Sequence, residues 1–176
     1  DDGAVNSVSS SVVINPNVIE YCSISGNTGY EWIASVSAGG ITNSSNKEGY
    51  ADFTDININL TSGNNQVDLT AGGNYSEFWG VWIDLNNNGD FEAAEQLLSV
   101  SGTNTVTGNI AIDNNLVGVT ARMRVVMKYG SAPTSTCGAI GDGEAEDYQI
   151  TIIDSDNAAP IAEANGEYIT TLGNPL

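Results

Sequence analysis

The chain has 176 residues, which is long enough for one β domain with a hydrophobic core. Its 22 acidic residues against 4 basic ones give a formal net charge of -18, which disfavours nucleic acid and anionic membranes as partners because both would be repelled. The chain has no histidine, which excludes an ordinary Ser–His triad and removes the commonest zinc ligand.

Short β-rich runs follow one another along most of the chain. Residues 1–17 are Ser- and Asn-rich and are interpreted as a linker or an edge strand. In residues 18–154, turn clusters such as SAGG, SGNN and SGTN separate the runs, which predicts an all-β, antiparallel, jelly-roll-like β-sandwich. The predicted strands are residues 30–36, 49–60, 66–70, 77–85, 96–100, 105–112, 121–129 and 147–153. Only residues 92–98 have a pattern compatible with a short helix.

Two cysteines, Cys22 and Cys137, are too few for a four-ligand zinc site. A single long-range disulfide is favoured over two buried free thiols. In the chain-entropy model, a bridge closing so long a loop contributes roughly 4–5 kcal/mol. Together with the acidity and the richness in Asn, Gly, Ser and Thr, this predicts a secreted, extracellular setting.

Aromatic side chains supply candidates for stacking on sugar rings. The candidates are Trp82, Trp32, Tyr30 and Tyr129. In FWGVWIDL, alternation places Trp79 on the core face and Trp82 on the opposite face beside Gly80, which favours an exposed Trp82. A flat ring flanked by polar groups is a common saccharide platform. The alternative is that both faces of this strand are covered and Trp82 is part of the core.

The segment DLNNNGDFEAAE, residues 84–95, has the spacing of a twelve-residue calcium loop. The oxygen ligands of such a loop would come from Asp84, Asn86, Asn88, Asp90 (through its backbone carbonyl), Glu92 and Glu95. Gly89 occupies the sixth position, where the sharp turn needs a glycine. The preceding EFWGVWI reads as a strand, so the loop is predicted to bind Ca²⁺ as a staple between strands. A metal-free Asn/Gly-rich turn is the alternative.

The strand ARMRVVMKY, residues 121–129, alternates apolar and basic side chains. Its apolar face is predicted to join the core. Its other face carries Arg122, Arg124 and Lys128, three of the four basic residues of the chain. Their expected partners are the carboxylates of GDGEAEDY, namely Asp142, Glu144, Glu146 and Asp147. Ion pairing is the favoured role of this cluster, with a second metal site or a catalytic carboxylate pair as alternatives.

Four segments together resemble the GEVED domain family. They are Tyr21-Cys22, then YEWI with NKEGYADFTD, then WGVWIDLNNNGDFEAAEQ, then RMRVVMKYG with GEAEDYQITI. The family signature reads GEAED here, with Ala145 in place of the usual Val. The resemblance implies a non-catalytic, β-rich accessory module in large secreted or surface-attached bacterial proteins. The run IAEANGEYITTLGNPL is similar to the start of a PKD-type repeat, so residues 155–176 are interpreted as a linker and a truncated further domain.

We therefore expect a non-catalytic, calcium-stabilised carbohydrate-binding module of a secreted polysaccharide-degrading enzyme. The expected ligand is a neutral polymer such as an agar-type galactan or chitin, and the expected state is a monomer within a multidomain chain. One alternative is a protein-binding or adhesive module of a secreted peptidase or surface protein, with a collagen-like or basic partner. Another is a passive rigid spacer.

Overall fold

The structure is a computed structural model that describes residues 19–157. The linker or edge strand predicted at residues 1–17 lies outside the described residues, and so does most of the linker and PKD-like start predicted at residues 155–176. No helix within residues 19–157 is long and apolar enough to cross a membrane.

Ten strands make up most of the described chain. In chain order they are β1 (Ile24–Asn27), β2 (Trp32–Ala38), β3 (Ile41–Ser44), β4 (Tyr50–Thr61), β5 (Gly63–Gly72), β6 (Ser76–Ile83), β7 (Gln96–Thr103), β8 (Thr105–Ile112), β9 (Thr120–Tyr129) and β10 (Gly138–Ile153). The larger sheet has the order β1-β10-β9-β6-β7, with β4 also paired to β10, and the smaller sheet has the order β3-β2-β5-β8. The predicted β-sandwich is confirmed.

The pairing around β10 differs from the expected antiparallel pattern. Strand β10 runs antiparallel to β9 but parallel to both β1 and β4. Its first part pairs with β1, where Ile24 faces Gly138, and its later part pairs with β4, where Tyr50 faces Ala145. Parallel strands need long crossover connections, and here the chain passes through the other sheet between β1, β4 and β10. Two strands therefore share one edge of β10.

Two of the predicted turn clusters mark the points where the chain changes sheet. The SGNN cluster begins at Ser62, between β4 of the larger sheet and β5 of the smaller one, and SGTN ends at Asn104, between β7 and β8. Asn104 has a φ of 60°, and Gly63 has a φ of 95°, so both lie in the left-handed region that tight turns need.

The main core fills the space between the two sheets. Met123, Val125 and Met127 of β9 and Trp79 and Val81 of β6 are fully buried, as their alternation predicts. The smaller sheet contributes Ile33, Val36, Val67, Leu69, Ile110 and Ile112. The inward face of the larger sheet also carries Glu77, Glu144 and Glu146, which are described in the next subsection.

The helix considered for residues 92–98 is not formed. Ala93–Glu95 make a single 3-10 turn and Gln96 already begins β7. Glu95 is buried, and its carboxylate accepts hydrogen bonds from backbone N–H groups before the turn. The bond from Glu92 caps the start of the turn, and the ladder with β6 begins directly after its end, at Gln96.

The predicted disulfide between Cys22 and Cys137 is present, with a Cα–Cα distance of 5.6 Å and a sequence separation of 115. It lies next to the parallel pairing of β1 and β10, where Ile24 faces Gly138. The bridge therefore joins the two segments that lead into these strands.

Replacement of Gly143 by alanine is expected to lower the free energy of unfolding by about 3–5 kcal/mol. Gly143 has a φ of 143°, and a Cβ atom there would lie 2.1 Å from the carbonyl oxygen of Met127. At the matched control Gly141, with a φ of 83°, a Cβ atom would meet nothing within 4 Å, so Gly141→Ala should cost only about 1–2 kcal/mol. Urea denaturation of both variants measures the difference, and equal losses would contradict the steric argument.

Candidate functional site

The acidic signature, residues 143–147, lies within β10 and is buried in the larger sheet. Because strand side chains alternate, Glu144 and Glu146 point toward the smaller sheet, while Ala145 and Asp147 point to the outer face. The carboxylates are therefore divided between two environments.

Asp147 forms the predicted ion pairs. Its two oxygens accept from Nε and Nη2 of Arg124 at 2.6 and 2.7 Å, and one oxygen also lies 3.1 Å from Nη1 of Arg122. The Arg124 and Asp147 side chains are 1% and 0% exposed, so this is a desolvated, bidentate pair. Arg124 Nη1 also donates to the carbonyls of Cys22 and Thr136 at 3.0 and 2.6 Å.

Glu144 binds backbone groups and makes none of the expected pairs with arginine. Its Oε2 accepts from the N–H of Ile33 at 2.8 Å, and its Oε1 accepts from the N–H groups of Glu48 and Gly49 at 2.7 and 2.8 Å. Burial raises the pKa of Glu144, and these three backbone donors partly offset the shift. Glu144 therefore fastens β2 and the start of β4 to β10.

Glu146 lies in a hydrogen-bonded chain that favours its neutral form. It contacts Ser45 Oγ and accepts from Tyr148 OH at 2.6 Å, while Ser45 Oγ also lies 2.6 Å from the carbonyl oxygen of Ile33. The single hydroxyl proton of Ser45 cannot serve two acceptors, so a protonated Glu146 that donates to Ser45 satisfies every group. Burial raises the pKa of Glu146 to about 7, which agrees with this protonated form.

The remaining members of the predicted cluster point elsewhere. Asp142 is exposed and accepts from Asn27 Nδ2 at 2.7 Å. Lys128 donates to Ser131 at 2.8 Å rather than to a carboxylate. Across residues 19–157, no three acidic or cysteine side chains come close enough to hold a metal ion. The structure therefore does not bring the four carboxylates of GDGEAEDY together as one site.

The loop at residues 84–95 is organised around a buried Asp84. Asp84 Oδ2 accepts from Tyr21 OH at 2.8 Å and from the N–H of Gly89 at 3.0 Å, and Oδ1 accepts from the N–H of Asn88 at 3.2 Å. Gly89 has a φ of 90°, and a Cβ atom there would lie 2.7 Å from the carbonyl oxygen of Glu20. The loop thus packs directly against the segment that precedes β1.

Asn86, Asn88 and Glu92 form the outer part of the loop. The Oδ1 atoms of the two asparagines accept from the N–H groups of Asn88 and Asp90, each at 2.9 Å. Their Nδ2 atoms donate to the two oxygens of Glu92, each at 2.9 Å. The amide groups of Asn86 and Asn88 and the carboxylate of Glu92 are therefore hydrogen-bonded to one another within the loop.

The oxygen atoms of this loop are of the kind that calcium prefers, except that one residue departs from the predicted ligand set. The candidate atoms are oxygens, and each that accepts one hydrogen bond keeps a further lone pair. Glu95 departs from the pattern because its oxygens hold the backbone N–H groups of Leu85 and Glu92, at 2.9 and 3.1 Å. Calcium binding here stays a prediction.

Aromatic contacts join this loop to the buried ion pair. Phe91 lies 5.3 Å from the ring of Tyr21, between ring centroids, and the guanidinium of Arg124 lies 4.9 Å from the Phe91 centroid. Arg122 lies 4.6 Å from the Tyr21 centroid. Burial, together with the hydrogen bond to Asp84, raises the pKa of Tyr21. The loop, the N-terminal segment and the arginines form one packed unit.

Trp82 is not the exposed platform that alternation suggested. It is 4% exposed, and its ring covers Gly80, where a Cβ atom would lie 2.3 Å from the ring. It belongs to a second small core on the outer face of the larger sheet, with Ile24, Val126, Ile140 and Ala145 as the other buried members. Segments distant in sequence cover this face, so Trp82 cannot stack on a sugar.

Trp32 is also covered, although it is only half-buried. Its ring lies on Gly72 of β5, where a Cβ atom would lie 2.1 Å from the ring. Lys47 Nζ lies 4.2 Å from the centroid of the same ring, a cation–π contact. Both faces are therefore in contact with the protein.

The other two predicted aromatics meet in a cleft of about 240 Å³. This tyrosine cleft is lined by Tyr30, Glu31, Tyr75, Tyr129 and Asp142. Tyr30, Tyr75 and Tyr129 are 68%, 47% and 48% exposed, and the rings of Tyr75 and Tyr129 meet edge to face at 5.8 Å. The sequence analysis missed Tyr75, whose place in the turn TAGGNYS directly before β6 was the available signal.

A buried carboxylate lies beside the tyrosine cleft. Glu77 is 0% exposed, neither of its oxygens has a hydrogen-bond partner, and it faces Tyr129 across the β6–β9 ladder. Burial, and then the charge of Glu31, raise the pKa of Glu77 to about 7. Sequence analysis did not single out either glutamate.

Comparison with protein families supports part of the resemblance. The family model of the GEVED domain matches residues 78–151, which include the loop at residues 84–95 and the GEAED signature. GEVED is an accessory domain family. No curated protein matches the chain significantly. The similarity to a PKD-type repeat is not shown.

Replacement of Arg124 by methionine is expected to lower the free energy of unfolding by about 3–5 kcal/mol, because Asp147 would be left buried without its main partner. The matched control is Arg122→Met, since the Arg122 side chain is 24% exposed and Arg124 remains in place. That control should cost about 0–1 kcal/mol. Urea denaturation at neutral pH measures both. An equal loss of stability in Arg122→Met would contradict the assignment of Arg124 as the main partner of Asp147.

Replacement of Glu146 by glutamine is expected to flatten the pH dependence of stability. Because the pKa of Glu146 is raised from 4.5 to about 7, the folded state keeps a proton that the unfolded state releases. Wild-type stability should therefore fall as pH rises from 4.5 to about 7, by up to about 3 kcal/mol from this group. Thermal unfolding across this range measures the effect, with Asp55→Asn at an exposed position as the control. Parallel wild-type and Glu146→Gln profiles would refute it.

Proposed function

We propose that this chain is a non-catalytic carbohydrate-binding module that holds a neutral polysaccharide in the tyrosine cleft. The observation that carries the proposal is the convergence of three exposed tyrosines with the carboxylates of Glu31 and Asp142. Aromatic faces provide apolar contact for sugar rings, and neighbouring polar groups fix the hydroxyls. The cleft is small and open, which suits a short stretch of a longer polymer.

The charge of the chain favours a neutral polymer over an anionic one. The net charge is -18, and the polar groups lining the cleft are carboxylates. Sulfated or uronic polymers would be repelled, whereas an agar-type galactan or chitin would not. A disulfide is typical of oxidising compartments, which supports secretion, and the parent protein of this proposal is a secreted polysaccharide-degrading enzyme.

We also propose that residues 84–95 bind Ca²⁺ as a structural ion. Asp84, Asn86, Asn88 and Glu92, with the backbone carbonyl of Asp90, would hold it. A bound cation would offset the negative charge of the loop. Because Phe91 packs on Tyr21 and Arg124, fixing the loop would also fix the segment before β1. This role is structural and makes no contact with the tyrosine cleft.

A protein-binding module is the second candidate, favoured by the same acidic surface. A basic or collagen-like partner would be attracted by a net charge of -18. Such binding should weaken steeply with salt, whereas stacking of a neutral sugar on tyrosines should not. A passive spacer would bind neither class of polymer.

Replacement of Tyr30 or Tyr75 by alanine is expected to weaken polysaccharide binding at least about tenfold, a loss of about 1.4 kcal/mol, because the ring face is removed. Pull-down on insoluble agarose, chitin and collagen fibres at low and high salt measures binding and distinguishes the candidates. Val117→Ala, at an exposed apolar position outside the cleft, is the matched control. Salt-sensitive binding to collagen alone, or binding that ignores both tyrosines, would reject the tyrosine cleft as a sugar site.

Calcium is expected to raise the Tm of the chelator-treated protein by about 5–10 °C at a hundredfold excess over Kd. Glu92→Gln should reduce this rise, because Glu92 is an exposed candidate ligand without a core contact. Asp113→Asn, an exposed acidic position in another loop, is the control. Differential scanning calorimetry measures all three proteins, and an undiminished rise in Glu92→Gln would contradict binding at this loop.

A further inference from the structure

The end of the main core beside the tyrosine cleft contains an unusual set of polar atoms. Among the described residues, the buried side-chain nitrogen and oxygen atoms that lack a hydrogen-bond partner are both oxygens of Glu77 and Nε1 of Trp79. Glu77 and Trp79 are two residues apart on β6, so both point inward on the same face. Most buried polar groups in proteins are satisfied, so this concentration calls for a physical cause.

Glu31 approaches the same place from the smaller sheet. Gly73, in the connection from β5 to β6, lies against the carbonyl oxygen of Tyr30 and the Cα of Glu31, since a Cβ built on Gly73 would lie 3.0 and 3.9 Å from them. Glu31 is 3% exposed and Glu77 is 0% exposed. The two carboxylates therefore belong to opposite sheets at one end of the sandwich, under Tyr30 and Tyr129.

No positive group of the described chain forms an ion pair with either carboxylate, although the charge of Lys47 partly offsets that of Glu31. The ion pairs within residues 19–157 both involve Asp147, and Lys47 is held over the ring of Trp32. A buried carboxylate with no partner has lost its hydration without compensation, which is strongly unfavourable. Glu77 carries this cost most clearly, because both of its oxygens are buried and only Glu31, itself acidic, acts on its charge.

We infer that Glu31 and Glu77 bind a hard divalent cation beneath the tyrosine cleft, at a site separate from the loop at residues 84–95. The carboxylate oxygens of this pair and the nearby carbonyl of Tyr30 are oxygen ligands of the kind that calcium prefers, and water would complete the coordination. A transition metal is disfavoured because the chain has no histidine and both cysteines are in the disulfide. The cation would link the two sheets and fix the segments that carry Tyr30 and Tyr75.

Calcium binding by the chelator-stripped full chain tests this inference without any polysaccharide. Isothermal titration calorimetry should show one fewer calcium equivalent for Glu77→Gln than for wild type, and the same loss for Glu31→Gln. Glu92→Gln, which alters only the loop at residues 84–95, should retain this equivalent. With Tb³⁺ as the probe, sensitised emission should fall in Glu77→Gln and in Glu92→Gln by separate and additive amounts, because Tyr21 beside Asp84 can also sensitise an ion held by the loop.

An unchanged number of calcium equivalents in Glu77→Gln would overturn the inference and leave Glu77 as a buried neutral acid. Circular dichroism without calcium shows whether Glu77→Gln is folded, and Glu31→Gln gives the deciding stoichiometry if it is not. Polysaccharide pull-down is a separate measurement. A chain that binds this cation but no sugar would contradict only the proposed function.

Discussion

The bidentate pair between Arg124 and Asp147 is the contact on which the rest of the structure depends. Arg124 uses its remaining donor on the carbonyls of Cys22 and Thr136, next to the disulfide, and its guanidinium lies over Phe91. One side chain thus joins β9, β10, both segments of the bridge and the loop at residues 84–95. An apolar replacement of similar volume can match a buried ion pair in stability, but it lacks the directional bonds that hold these segments in one arrangement.

The signature on β10 divides its acidic groups by function within the fold. The outward Asp147 neutralises arginine, while the inward Glu144 and Glu146 hold backbone and hydroxyl groups that lie toward the smaller sheet. Gly143 leaves room for a carbonyl of β9, and Ala145 fits within the small core that contains Trp82. Each carboxylate of the stretch has a different structural partner. The acidic residues are therefore neighbours in the sequence without sharing one site in the fold.

The sandwich, its inward faces and the disulfide could be predicted because alternation and cysteine count are local signals. The parallel pairing of β10 could not, since it depends on crossovers through the other sheet. Trp82 shows the same limit: period-two alternation gives the face a side chain occupies but not which distant segment covers that face. Glu77 is different. It lies two residues before Trp79, so alternation places its carboxylate on the core face. An acidic residue at a core position was therefore the signal in the sequence for the groups beneath the tyrosine cleft.

Strand β10 is the last strand of the sandwich, yet β1, β4 and β9 all pair with it. The middle of the larger sheet therefore cannot close until nearly the whole module is available, because its ladders join residues distant in sequence. For a polypeptide synthesised from its amino end, this order postpones cooperative collapse until β10 is available. The topology thus commits the chain to its final shape only late in synthesis.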